Sequence, residues 1–219
     1  VYLRQRWQLR RLRMHAGSIC GGETMSQPLV LGFAGSPRRH GNSEQMLDAC
    51  LAGAEGSGAR VHKIVPAELS IRSCRGCNGC SLDGVCVVHD EMHDVYAAID
   101  SADAIVFASP VYFAGVPGAF KSAIDRMQPY WARTHVLGNP QPARRPAGLL
   151  LVRGGGDPYG FTGAEHTLRS VSAVIGLEVR GVVKAADVDG AGDIGRHPLA
   201  LDHARELGAR LGTLVEEQT

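Results

Sequence analysis

The chain has 219 residues, 44% of them hydrophobic and 21% charged, with a formal net charge of +1. That size suits one large α/β domain plus extensions better than two full domains, and the near-neutral balance argues against a broad surface for nucleic acid or anionic membrane. No apolar run approaches the roughly 18 residues that a membrane span needs.

Residues 1–24 carry Arg4, Arg6, Arg10, Arg11 and Arg13 against Glu23, a net of +4 that leaves −3 on the remainder. The segment has no apolar h-region and so does not read as a signal peptide. It reads as a basic extension, a disordered tail or an over-extended gene start, with a basic arm for a membrane surface or partner as the rival. Residues 25–219 read as the folded domain. A first strand is expected over 29–33 and a helix over 43–55, where Met46, Leu47, Cys50, Leu51 and Ala54 recur at helical spacing. A second strand follows over 60–65, then a cysteine-rich loop and a helix over 91–99 capped by Asp90. A strand over 104–108 precedes a helix over 118–127. After a Pro/Arg-rich loop over 138–146 come a strand over 148–152 and a helix over 163–175. A fifth strand over 178–183 and a last helix over 198–216 complete the pattern. Strands alternating with helices imply parallel βαβ units, and apolar strands imply a sheet covered on both faces. The expectation is an α/β, doubly wound five-stranded parallel sheet of flavodoxin-like order 2-1-3-4-5, with its ligand at the carboxyl ends of the strands.

The first strand runs into Gly35-Ser36-Pro37-Arg38-Arg39-His40-Gly41-Asn42-Ser43 and a helix opens at once. Unpaired N–H groups and partial positive charge at a helix start suit a phosphate. Ser36, Asn42 and Ser43 offer short donors, and Arg38 or Arg39 a charge-assisted bond. Neither a Walker loop nor G-x-G-x-x-G is present. The plain alternative is a turn with Ser43 as N-cap. After the third strand comes Ser109-Pro110-Val111-Tyr112-Phe113-Ala114-Gly115-Val116-Pro117-Gly118, its prolines stiffening the loop and its glycines permitting close approach. A third glycine-rich loop, residues 153–157, follows the fourth strand.

The first two loops resemble those of the NADPH-dependent FMN reductase family, and the resemblance covers roughly residues 28–212. It implies FMN held without covalent attachment. Ser36, Arg38, Asn42 and Ser43 would serve the phosphate; Ser109, Pro110, Val111, Tyr112, Phe113 and Gly115 would run beside the isoalloxazine ring, with Tyr112 and Phe113 packing on its face. It also implies NAD(P)H as a co-substrate and assembly as a homodimer or homotetramer.

Four cysteines, Cys74, Cys77, Cys80 and Cys86, stand in a C-x2-C-x2-C-x5-C run. Thiolates ligate [4Fe–4S] clusters and C-x2-C-x2-C opens the ferredoxin motif, although there the next cysteine follows after three residues. Disulfides are disfavoured without a secretion signal. Zinc accepts the same donors, and free thiols are the remaining alternative. The compact run resembles the iron–sulfur flavoprotein branch of the same family, which implies a [4Fe–4S] cluster on these four residues. Cys50 reads as core. Arg133 and His135 are expected in a loop over the substrate, with Asp157, Tyr159 and His166 as further pocket candidates; no catalytic residue is named, because a flavin itself takes hydride and electrons.

These features point to a cytoplasmic FMN oxidoreductase that moves electrons between NAD(P)H or a small-molecule substrate and an acceptor, with a redox partner such as ferredoxin and no nucleic-acid or membrane partner. The rivals are a cluster-free FMN, quinone or nitro reductase and a dehydrogenase of a chorismate-derived acid. A pure electron carrier is a weaker fit, because flavodoxins are usually strongly acidic and this core is only −3.

Overall fold

A computed structural model describes residues 27–216; the basic extension over 1–24, with Cys20, lies outside the described residues. Five strands, β1 (Leu29–Ala34), β2 (Arg60–Ile64), β3 (Ala104–Pro110), β4 (Arg145–Val152) and β5 (Leu177–Ala185), form one sheet. Every pairing is parallel and the order is β2-β1-β3-β4-β5, the flavodoxin-like order expected. Six helices connect and follow the strands: α1 (Asn42–Gly56), α2 (Met92–Ser101), α3 (Gly118–Asp125), α4 (Gln128–His135), α5 (Thr162–Val174) and α6 (Pro198–Glu216). Among the described residues no helix is long and apolar enough to cross a membrane.

Alternation along each strand sends neighbours to opposite faces, and both faces are dry. Leu31, Phe33, Ile105, Phe107, Leu149 and Leu151 pack with Met92 and Ile99 of α2, Phe120 of α3 and Leu168 of α5. Val30, Val106, Ala108, Leu150 and Val152 pack with Met46, Leu47 and Cys50 of α1 and Leu207 and Leu211 of α6. Two layers of helices therefore clamp the sheet, and Cys50 is core as its spacing suggests. In the second layer α1 and α6 touch backbone to backbone. A Cβ on Gly208 would lie 1.8 Å from the Cys50 carbonyl oxygen, and one on Gly53 would lie 2.0 Å from that of Arg205.

Two local expectations are corrected. The helix expected over 118–127 ends at Asp125, and a separate helix, α4, opens at Gln128, so that Arg133 and His135, expected in a loop, are helical. Pro129 sits in that helix's first turn, where its missing N–H costs nothing and its fixed φ favours the helix. Strand β4 starts at Arg145, inside the stretch expected as loop, because Pro146 stands near the strand's start, a position where its missing donor is tolerated.

Candidate functional site

The loops that follow β1, β3, β4 and β5 meet at the carboxyl edge of the sheet around a cavity of about 210 Å³. Seven of the ten residues expected to hold a flavin line it: Ser36, Arg38, Asn42, Ser43, Pro110, Val111 and Tyr112. Arg153 and Gly154 after β4 and Val188, Asp189 and Ala191 after β5 complete the wall. The sequence reading passed over the loop after β5, although its Asp187-Val-Asp-Gly-Ala-Gly run is a turn signal. A Cβ on Gly154 would fall 1.7 Å from Asp189 Oδ1, so a larger residue there would displace the Asp189 side chain.

Helix α1 begins at Asn42 with Gly41 as N-cap, and no side chain caps it. Its first-turn N–H groups thus remain oriented for an anion. The hydroxyl of Ser43, a residue 1% exposed, has no hydrogen-bond partner. A buried polar atom left unpaired beside a helix start fits a phosphate as its missing partner. Ser36 Oγ accepts the Arg38 N–H at 3.0 Å and shapes the turn. The Asn42 side chain is engaged elsewhere: its amide donates to the Gly190 carbonyl at 2.8 Å, and its carbonyl accepts the Ile194 N–H at 3.2 Å. Asn42 thereby ties the loop after β5 to the helix start and leaves its backbone N–H for a ligand.

Beneath this loop lies Glu44, 1% exposed, which the sequence reading missed. It accepts hydrogen bonds from His40 N–H at 2.6 Å, Arg39 at 3.0 and 3.3 Å, and Lys63 at 2.8 Å. Burial alone would raise its pKa; the bonds from Arg39, Lys63 and the His40 N–H outweigh that and hold the carboxyl at about 2. The usual value is 4.5, so this carboxylate's contribution to stability is complete above that pH and is lost as pH falls through about 2. The melting temperature is expected to decline across that window, and the decline should shrink in Glu44→Gln when the two proteins are melted side by side from pH 7 to 2.

The other three expected flavin residues lie apart from the cavity lining. Ser109 is fully buried and donates its hydroxyl hydrogen to the Pro110 carbonyl at 2.9 Å. Gly115 and Tyr112 exchange both N–H···O bonds at 2.9 Å, closing a two-residue turn. Its central residues, Phe113 (φ 48°) and Ala114 (φ 61°), are both left-handed. That is a type I′ turn built without glycine, and each such residue costs about 1–2 kcal/mol. Phe113 at the tip is wholly exposed. Asp157 holds the turn, accepting the Ala114 N–H at 3.1 Å and the Tyr159 N–H at 2.8 Å.

Cys74, Cys77, Cys80 and Cys86 all line a second cavity of about 270 Å³, with Arg126, Gln128 and Pro129. None is in a disulfide. Burial, reinforced by the nearby Cys86, Cys74 and Cys77, pushes the Cys80 thiol up, so a full thiolate set here calls for cations. Among the described residues no three cysteine, histidine or carboxylate side chains form a single-ion site. Four thiols around one cavity are donors that an iron–sulfur cluster and zinc both accept. The two cavities share no lining residue.

Arg126, 1% exposed, closes the neck of the cysteine loop. It donates to the carbonyls of Arg72 (2.8 Å) and Val88 (3.1 Å), which flank the four cysteines, and forks onto Asp90 at 2.8 and 3.1 Å. Arg133 on α4 donates to the Gly84 carbonyl at 2.9 Å and pins the loop from its other side.

A sequence profile of the NADPH-dependent FMN reductase family matches residues 28–187. An iron–sulfur flavoprotein of Archaeoglobus fulgidus is 31% identical over 193 residues, 86% of this chain and 81% of that one. An iron–sulfur flavoprotein of Methanosarcina thermophila is 27% identical over 173 residues, 79% of this chain and 85% of that one. Among solved structures, an NAD(P)H:quinone oxidoreductase from Methanothermobacter marburgensis superposes with a TM-score of 0.62 at 21% identity, over 84% of this chain and 94% of that one. That likeness is one of fold.

Proposed function

The chain belongs to the NADPH-dependent FMN reductase family and is an FMN-dependent oxidoreductase; from that premise we propose that it carries electrons between NAD(P)H or a small-molecule substrate and an acceptor through FMN and a [4Fe–4S] cluster. The observation that carries the flavin site is the uncapped start of α1, with the unpaired Ser43 hydroxyl, opening into the same cavity as Pro110, Val111 and Tyr112. The observation that supports the cluster is four cysteines around one cavity, in a chain similar to proteins named iron–sulfur flavoproteins.

In this reading the α1 N–H groups, Ser36, Ser43 and Arg38 bind the phosphate, and the loop after β3 orients the ring. At about 210 Å³ the cavity is smaller than the roughly 300–1,000 Å³ of most cofactor sites. A bound FMN would therefore be only partly enclosed, leaving it open to a second molecule. FMN supplies the exchange between paired and single electrons. Cys74, Cys77, Cys80 and Cys86 hold the cluster, and Arg126 and Arg133 fix the loop that bears them. In this reading the chain assembles as a homodimer or homotetramer, as the family resemblance implies, with one copy's cysteine loop approaching another's flavin. The exposed Leu82, Val85, Val87 and Phe113 supply apolar surface for such a contact.

The test is anaerobic purification followed by a visible spectrum, iron and acid-labile sulfide analysis, and titration with NADPH. We expect flavin bands over a broad cluster shoulder, with about four irons per chain for a [4Fe–4S] centre, and bleaching of the flavin bands by NADPH. Cys77→Ser should remove the shoulder and leave the flavin. Flavin bands without iron would replace this reading with that of a cluster-free quinone or nitro reductase.

A further inference from the structure

Arg153 stands at the carboxyl end of β4 and lines the flavin cavity. Of its five N–H donors, NH1 gives one to the Gly154 carbonyl at 2.8 Å, and the buried Nε has no partner. Among the described residues it forms no ion pair with a carboxylate. Lys184, whose Nζ shares the Phe161 ring with it, is neutralised by Glu165 at 2.6 Å. Asp189, the acid on the cavity wall, lies beside Gly154 and accepts the Gly155 N–H at 3.4 Å. An unneutralised guanidinium in a half-enclosed site is costly to keep unless an anion completes it.

The phosphate is poorly placed to be that anion. Strand β4 stands two strands from β1, about 10 Å at the spacing of neighbouring strands. The guanidinium also lies over Phe161, 5.3 Å from the ring centre, just before α5. Helix α5 belongs to the helical layer opposite the one that contains α1. Phe161 and Gly154 thus hold Arg153 on the β4 side of the cavity, across from the start of α1.

We propose that Arg153 is the residue that tunes the flavin, its fixed positive charge stabilising the negative charge the ring acquires on reduction. When NAD(P)H delivers a hydride, the ring gains two electrons and one proton and is left with one net negative charge. A cation already in place favours that state over the neutral oxidised ring. Arg153 then acts on the reduction potential more than on affinity, and sets which donors and acceptors the enzyme exchanges with. The inference rests on the FMN reading of this cavity.

The experiment compares wild type, Arg153→Met and Arg153→Lys, each loaded with FMN. The two-electron midpoint is titrated against a reference dye, and FMN affinity is measured by fluorescence. We expect Arg153→Met to reduce the equilibrium constant for two-electron reduction at least tenfold, about 30 mV, with FMN affinity changed less than tenfold. Arg153→Lys, which keeps the charge, should recover most of the midpoint and covers the case in which the methionine variant folds poorly. An unchanged midpoint in flavin-loaded Arg153→Met overturns the inference alone. Weakened FMN binding with an unchanged midpoint also overturns it and reassigns Arg153 to the phosphate. Wild-type protein that takes up no FMN removes the flavin reading and the inference together.

Discussion

Arg126→Leu is expected to lower the free energy of unfolding by about 3–5 kcal/mol and to leave the protein unable to hold a cluster. Removing one partner of a buried pair strands the other charge, and that cost lies in this range. Here the stranded group is Asp90, whose side chain is 7% exposed. Burial alone would raise its pKa, but hydrogen bonds from Arg126, the Arg72 N–H and the Met92 N–H hold it at about 2. The Arg72 and Val88 carbonyls lose their donor in the same step, so the neck of the cysteine loop opens. Urea melts of wild type and variant would measure the loss, and iron analysis after anaerobic reconstitution would report the loop. Adding Asp90→Leu should recover part of the stability, because the unpaired charge is gone, and none of the iron. A loss below 1 kcal/mol in the single variant would show that the pair does not close the loop.

Ser36→Asp is expected to weaken FMN binding by about 100-fold or more while the protein stays folded. An aspartate can accept the Arg38 N–H as the serine does at 3.0 Å, forming an Asx turn in place of the serine turn. Its carboxylate then stands on the cavity wall beside the phosphate. Two unit charges about 4 Å apart repel by roughly 4 kcal/mol at an effective dielectric constant near 20, and each 1.4 kcal/mol is a factor of about ten in affinity. Riboflavin, which lacks the phosphate, separates this effect from a general collapse of the pocket. Its binding should change by less than tenfold in the same variant. Equal losses for FMN and riboflavin would mean that Ser36 faces some other part of the cofactor. Ser36→Ala removes only one neutral hydrogen bond, and its effect should be correspondingly small.

Much of the architecture was legible because it rests on local signals. Each strand is an apolar run, each is followed by helical periodicity, and the parallel order follows from that alternation. That Ser36, Asn42 and Ser43 stand together at the start of α1 was legible for the same reason, since they lie within eight residues of one another. Features that depend on partners distant in sequence were not. Arg126 reads as a surface charge until Asp90, thirty-six residues away, is placed against it. Glu44 likewise reads as a solvated first-turn acid until Lys63 arrives from β2. Helix α4 has only eight residues and begins Gln-Pro, too short for a periodic signal. The family resemblance implies Phe113 on the ring face, but its place at the tip of a tight turn was not legible, because Phe-Ala gives no hint of two left-handed residues.

The glycine contact between α1 and α6 bears on how fast a ligand can arrive. With the Gly53 and Gly208 backbones in direct touch with the opposing helix, α1 is unable to slide or tilt without lifting α6 from the sheet. The amides at its start are therefore in their working positions before any phosphate approaches. An incoming anion meets a finished receptor and spends little of its interaction energy on ordering it. Association is then governed by diffusion and by the charge of the loop, and the rate should respond to salt far more than to temperature.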